Sequence, residues 1–417
     1  MTTNGFYSSY DDVWILDGVR TPMVDYCTTF SDISPTDMGI KVAREILART
    51  AVAPADIGSV ITGNMAPGDF FQYFVPRHIG MYAGVPLTVP ALNVQRICGT
   101  GFELFRQAAD QIKLGYTDAV LVVGTESMTR NPIAAFSHRS GFRLGAPVEF
   151  KDFMWEALAD PAAGITMPQT AENLAVKYGV TRADVDHYAA QSFERAVAAR
   201  ESGFHAGEIV AVKNETFELA GYATRSIRLA GKAAEAAHDT HARISPVEVL
   251  AKLRPIYPHG VQTGGNSSAL VDAAAAAVVV DGACARSHGG AALARIVAMT
   301  VVGVPPEIMG IGPAPAIGLL LERSGLTLDQ VGLFEINEAQ GAQIIAVERA
   351  LGLERAKLNV NGGAIALGHP LAVTGVRLTI TLARALRQRK LRYGVASACI
   401  GGGQGIAILV ENPDFFD

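Results

Sequence analysis

Apolar and polar positions along the 417-residue chain repeat themselves, and the repeat predicts the architecture. The stretches LARTAVAPADIGSVITGNM (47–65) and LERSGLTLDQVGLFEINEA (321–339) each read as a helix end, a turn and an apolar strand, 274 positions apart. A second pair, LNVQRICGTG (92–101) and LNVNGGAIALGHPLAVTG (358–375), begins on Leu-Asn-Val and ends on Thr-Gly, and Thr100 and Thr374 are again 274 apart. Each Thr-Gly leads into an amphipathic helical pattern, FELFRQAADQIKLG or VRLTITLARALRQRK, and then into an apolar strand, DAVLVVGTE or YGVASACIGGG. Strand, helix, strand in both halves predicts two similar α/β units with buried parallel strands, packed together.

The stretch from about 130 to 254 has no counterpart in the other half and reads as an inserted lobe, with two helices broken at Tyr178-Gly179. Insertions of this kind often cover a site. The expected organisation is 1–129 with 255–283 as the first half, 130–254 as the lobe and 284–417 as the second half. The longest apolar run, ALVDAAAAAVVV (269–280), contains Asp272 and falls well short of the about 20 residues a bilayer demands. It is a buried strand or helix edge, and no membrane partner is expected.

Composition narrows the class. Apolar residues are 49% and charged residues 18% of the chain, as in a compact α/β enzyme rather than a disordered protein. The net charge of −5 comes without basic runs, so a nucleic-acid partner is excluded and an anionic ligand needs local contacts. MTTNGFYSSYDDVW lacks a secretory or transit pattern, and NPDFFD carries no peroxisomal tripeptide. Four cysteines in this length argue for a reducing compartment, so the cytoplasm is the expected location.

One of those cysteines, Cys98, stands between a short strand and a Gly-Thr-Gly turn that opens a helix. There the unpaired N–H groups and the helix dipole favour thiolate, although a small buried hydrophobe in a tight turn explains a lone cysteine as well. Cys399 ends a strand before three glycines whose N–H groups could face a developing negative charge. His369 lies in the Gly-rich loop NGGAIALGHP, either held for chemistry or simply satisfied there. Asn337 and Glu338, in EINEAQG, end a strand and can fix a water or orient a side chain, or serve only the turn. Four such loops, two from each half, are where a duplicated parallel-sheet protein builds one cleft.

CGTG, NEA, GGAIALGHP and CIGGGQG, in this order and spacing, closely resemble the thiolases over nearly the whole chain. VRTPMVDY (19–26), AENLA (171–175), AKLRP (251–255), GGNSSALVDAAAA (264–276) and MGIGPAPA (309–316) carry the same resemblance. It implies a duplicated α/β/α/β/α fold and a two-step exchange at a thioester. Cys98 would be the acyl-carrying nucleophile, His369 would take its proton, and Cys399 would be the second acid/base group. His369 and a water held by Asn337 would stabilise the enolate, and the N–H groups of Cys98 and Gly401 would form a second oxyanion hole. Coenzyme A is implied as a substrate, with acyl-CoA as its partner and no permanent cofactor or metal. Ser268 matches the serine at its pantetheine arm, with Gly264 on the same wall. Met167 and Met309 match methionines of the cleft, and Arg243 the arginine at the adenine end. A homodimer or homotetramer is implied too.

Departures cluster near the acyl pocket. Gln340 replaces the usual Phe after NEA, and Thr166 stands where short-chain members have His. Both point to a larger or more polar acyl group. Ala372 and Thr374 stand for Gly and Ser, Ala273 for Gly, and Val249 for a polar residue. Three other readings stay open: a condensing enzyme of the ketoacyl-synthase type, which has a second histidine in place of Cys399; a non-catalytic acyl-CoA-binding subunit; and a redox pair formed by Cys98 and Cys399.

Overall fold

Two neighbouring residues share every alternate step of the apolar run at 271–280, and the computed structural model shows why both are buried. The run is a strand between two cores. Ala273, Ala275, Ala277 and Val279 face the central core, while Ala274, Ala276, Val278 and Val280 face an outer one. The structure describes residues 4–136, 138–288 and 292–415.

Among the described residues, eleven strands form one sheet: β1 Gly5–Ser9, β2 Val13–Arg20, β3 Val24–Asp25, β4 Ser59–Gly63, β5 Ala91–Val94, β6 Ala119–Ser127, β7 Val271–Asp281, β8 Ala294–Gly303, β9 Val331–Ile336, β10 Tyr393–Ile400 and β11 Gln404–Glu411. Eight helices of two turns or more accompany it: α1 Pro35–Thr50, α2 Val75–Tyr82, α3 Thr100–Lys113, α4 Met167–Tyr178, α5 Arg182–Glu201, α6 Pro313–Ser324, α7 Gly341–Leu351 and α8 Leu371–Arg389. The main path of the sheet is β9-β10-β11-β8-β2-β7-β6-β4-β5, with β1 on β8 and β3 on β7.

The two halves of that path join where Ala294 and Arg295 pair with Ile15 and Trp14. Within each half the strands on either side of the repeated helix run parallel: β5, β4 and β6 in the first, β9 and β10 in the second. The sequence pattern did not reveal the remainder. Each half is completed by antiparallel strands, β7 and β2 or β11 and β8; β10 and β11 are joined by a hairpin, the other antiparallel pairs by long connections.

Helices α3 and α8 pack on each other between the two halves, α1 covers the outer face of the first half, and α6 covers that of the second. The result is five layers, α/β/α/β/α. The crossing of α3 and α8 is close enough that a Cβ on Gly375 would stand 2.2 Å from the Phe102 nitrogen, and one on Gly101 would stand 2.6 Å from the Gly375 nitrogen. The two Thr-Gly pairs of the repeat thus meet at the molecular centre, and glycine is required there by contact.

Between 130 and 254 the chain forms short two-stranded pairs together with α4 and α5, which part at Gly179 with φ 64°. These two helices do more than cover. Leu174, Val185, Tyr188 and Phe193 belong to the central core, packed against α7 and the 364–367 turn.

Candidate active site

Because α3 and α8 cross at equivalent positions, the residues just ahead of them arrive together. Cys98 sits in a 3-10 turn, Ile97–Gly99, one step before α3, and His369 stands two residues before α8. Ile97 holds a left-handed backbone, φ 45°, which is costly for a β-branched residue. Three contacts hold this turn. Arg96 N–H donates to Thr100 Oγ1 (2.8 Å), Thr100 donates to the Ile97 carbonyl (2.7 Å), and the Arg96 guanidinium pairs with Glu103 (2.9 Å).

Both residues open onto one cavity of about 230 Å³. Met167, Ser268, Met309, Gln340 and Gly401 share its wall with Cys98 and His369. Cys399 is fully buried beside Met309 and Ala339, immediately behind that wall. The hairpin between β10 and β11 accounts for the glycine run: Gly401 N–H is directed at the Cys98 sulfur, and Gly402, which also lines the cavity, and Gly403 turn the chain at positive φ.

His369 is fixed through both ring nitrogens. Thr374 Oγ1 lies 2.6 Å from Nδ1 and donates to the Pro370 carbonyl at 3.2 Å. The network therefore assigns the proton to Nδ1 and leaves a lone pair on Nε2. Asn337 Nδ2 is 3.3 Å from Nε2, and Asn337 Oδ1 is buried without a partner. The Ala269 carbonyl accepts from His369 N–H (3.0 Å), so the segment GGNSSAL steers the histidine from behind. Gly368, at φ 106°, makes the bend before it in a conformation suited to glycine.

Electrostatics corrects the thiolate expectation. Burial pushes the Cys98 thiol up to about 11, more than the N–H groups of Gly401 and Cys98 pull it down, and Glu126 adds to the rise. Burial and the nearby Cys98 push the Cys399 thiol up further, away from a value near working pH. Burial, reinforced by Arg377, lowers the His369 imidazole to about 3. At rest the site is a neutral thiol and a neutral imidazole. A charge formed there must be met by the backbone dipoles at the moment of reaction.

Three further residues support the site: Glu338 of the NEA stretch, Glu126 and Thr374. Glu338 accepts from Tyr188 (2.9 Å), Ser192 (2.7 Å), Asn359 (2.8 Å) and the Ile365 N–H (3.1 Å), so it pins the histidine loop. Glu126, at the end of β6, accepts from the N–H groups of Met65, Ala66 and Ala372 and so ties the first turn of α8 to the first half. Thr374, read from sequence as a departure, keeps the hydroxyl that orients His369. A hydroxyl five residues after a histidine on a helix start was the available signal.

One expected wall residue stands elsewhere, and Arg243, expected at the adenine end, lies outside this cavity. Gly264 is exposed and away from the cavity lining. The Arg243 guanidinium packs over the Phe193 ring, 5.5 Å from its centroid, and donates to the His241 carbonyl. Gln340 does line the cavity. Thr166 caps α4 and contacts Tyr257. Among the described residues no group of three His, Cys, Asp or Glu side chains is arranged to hold a metal ion, and no helix is long and apolar enough to cross a membrane.

Two converging helix starts that present a thiol and an imidazole to a glycine-lined cavity define a thiol-dependent acyl-transfer site. The chain matches the family models for the thiolase N-terminal domain over residues 13–283 and the thiolase C-terminal domain over residues 291–412. It is 40% identical over 402 residues to the mitochondrial 3-ketoacyl-CoA thiolase of Bos taurus, covering 96% of this chain and 98% of that one. It is 38% identical over 409 residues to the β-ketoadipyl-CoA thiolase of Acinetobacter baylyi, covering 95% and 98%. The crystal structure of human mitochondrial 3-ketoacyl-CoA thiolase in complex with CoA superposes with a TM-score of 0.90 at 38% identity, covering 96% of this chain and 98% of that one. The chain belongs to the thiolase family and is an acyltransferase of that class.

Proposed function

We propose that this enzyme cleaves a 3-oxoacyl-CoA with coenzyme A, giving acetyl-CoA and a shortened acyl-CoA, and runs the reverse Claisen condensation at the same site. The observation that carries this reading is the shared cavity of Cys98 and His369, with Gly401 N–H at the sulfur and Cys399 behind the wall.

In cleavage, His369 Nε2 takes the Cys98 proton as the sulfur attacks the 3-oxo carbon. The N–H groups of Cys98 and Gly401 receive the charge that forms on the carbonyl oxygen. The bond between carbons 2 and 3 then breaks, and the electron pair passes to the enolate of acetyl-CoA. Cys399 gives a proton to carbon 2 and becomes a thiolate, while His369 and Asn337 face the enolate oxygen. Coenzyme A next attacks the acyl-cysteine, its thiol proton returns the site to neutrality, and the acyl group leaves on the new thioester. The thiolase resemblance gives Ser268, Met167 and Met309 to the pantetheine wall, and their place in the cavity lining supports it. Coenzyme A enters as a substrate, without a resident cofactor.

Gln340 supports an acyl group larger or more polar than acetoacetyl. The relatives include thiolases named for different acyl groups at nearly equal identity, so the pocket wall carries the choice. A homo-oligomer is supported by the free edge of β5 and the exposed side chains of Phe70 and Tyr73. The four free cysteines support a reducing cytoplasmic setting, and the sequence repeat supports the division into 1–129 with 255–283, 130–254 and 284–417. CoA-dependent loss of a 3-oxoacyl-CoA, with acetyl-CoA as a product, tests the reaction. Purified protein that releases no acetyl-CoA across a chain-length panel contradicts it.

A further inference from the structure

The cavity shared by Cys98 and His369 is mostly apolar, lined by Ile97, Ala157, Leu158 and Leu371 among others, yet besides Ser268, assigned to pantetheine, its wall includes two polar residues with no role in the bond-breaking steps. Gln340 is one. Its Oε1 lies 2.8 Å from Ser267 Oγ, and the two residues also pair in an antiparallel backbone bridge, so the amide is held in place. Among the described residues its NH₂ group makes no hydrogen bond. Asp160 is the other. Its Oδ1 accepts from the N–H groups of Ala162 and Ala163, which fixes the carboxylate on the loop beside the cavity. Among the described residues no lysine or arginine lines the cavity.

A pinned amide donor and a carboxylate acceptor on an otherwise apolar wall suit a ligand that both donates and accepts. An all-apolar chain leaves the amide donor dry, and a chain ending in a carboxylate meets Asp160 without a compensating cation. We infer that this enzyme selects 3-oxoacyl-CoA substrates whose acyl chain carries a hydroxyl group, with Gln340 and Asp160 as the specificity residues, and discriminates against carboxylate-terminated chains. This rests on the thiolase reading of the same cavity.

The test uses three 3-oxoacyl-CoA substrates of equal chain length, one unsubstituted, one hydroxylated along the acyl chain and one carboxylate-terminated. The wild-type kcat/KM for the hydroxylated substrate is expected to exceed that for the unsubstituted one by about fivefold, the worth of one net hydrogen bond, with the carboxylate-terminated substrate slowest. Gln340→Phe should erase that preference. Ser267→Ala, which frees the amide without reshaping the wall, should reduce it, and Asp160→Asn should relieve the handicap of the carboxylate chain. Equal wild-type rates on the hydroxylated and unsubstituted substrates, or a preference unchanged in both Gln340→Phe and Ser267→Ala, overturns the inference while cleavage itself upholds the thiolase reading. Cleavage of none of the three overturns that reading and this inference with it.

Discussion

The two halves deliver their reactive residues to the starts of two paired buried helices, but by different approaches: β5 leads into the Cys98 turn, whereas the chain from Leu358 reaches His369 through the short helix Ala364–Leu367. In the first half a non-glycine residue, Ile97, takes the left-handed conformation ahead of Cys98; in the second, Gly368 does so ahead of His369. One turn stores strain and is tied down by Thr100 and Arg96. The other is relaxed, and its histidine is instead fixed by side-chain hydrogen bonds. Duplication supplied a symmetric frame, and the residues placed in the two turns made the chemistry asymmetric.

The largest break in that comparison is Cys98→Ala. It should end covalent acylation and lower kcat by about 10⁴-fold or more, as removal of a nucleophile does. Mass spectrometry after exposure to acyl-CoA reads the missing adduct. Next is the frame itself. Gly375→Ala drives a methyl into the α3 backbone and should cost about 3 kcal/mol of stability, seen as a lower denaturation midpoint. A smaller effect is expected from Thr374→Val, which removes the acceptor at His369 Nδ1 and should lower kcat about tenfold, with Thr374→Ser restoring it.

The smallest is a pH slope. Burial raises the Glu126 carboxyl from its ordinary 4.5 to about 7 in the folded chain. Between those values the folded state binds more protons than the unfolded state, so this residue's stabilising share is present below 4.5 and is lost as pH rises through 7. Denaturation midpoints of the wild type should therefore fall across that window more steeply than those of Glu126→Gln. Parallel pH profiles would contradict this.

Much of this was legible before any coordinates. Thr100 and Thr374 share a spacing with their flanking strands and helices, and that spacing placed Cys98 and His369 at one centre. The roles given to Asn337, Cys399 and Gly401 came from the resemblance to the thiolases, as did the cleft positions of Met167, Ser268, Met309 and Gln340, all four of which line the cavity. Long-range features were not legible. Burial of Cys98 depends on every element around it, so a local argument from the helix dipole gave the wrong sign for its acidity. Gly264 is set outside the cavity lining by a loop whose path no periodicity encodes. The tie from Glu126 to Ala372 spans 246 residues, and hydrogen bonds of that reach leave no local pattern.

The division of labour between the two thiols is the central claim, and α-proton exchange measures it most directly. In deuterated buffer the wild-type enzyme should wash deuterium into the methyl group of acetyl-CoA. Cys399→Ala should still carry an acetyl group on Cys98 yet leave that methyl unlabelled. Exchange at the wild-type rate in Cys399→Ala would contradict the account.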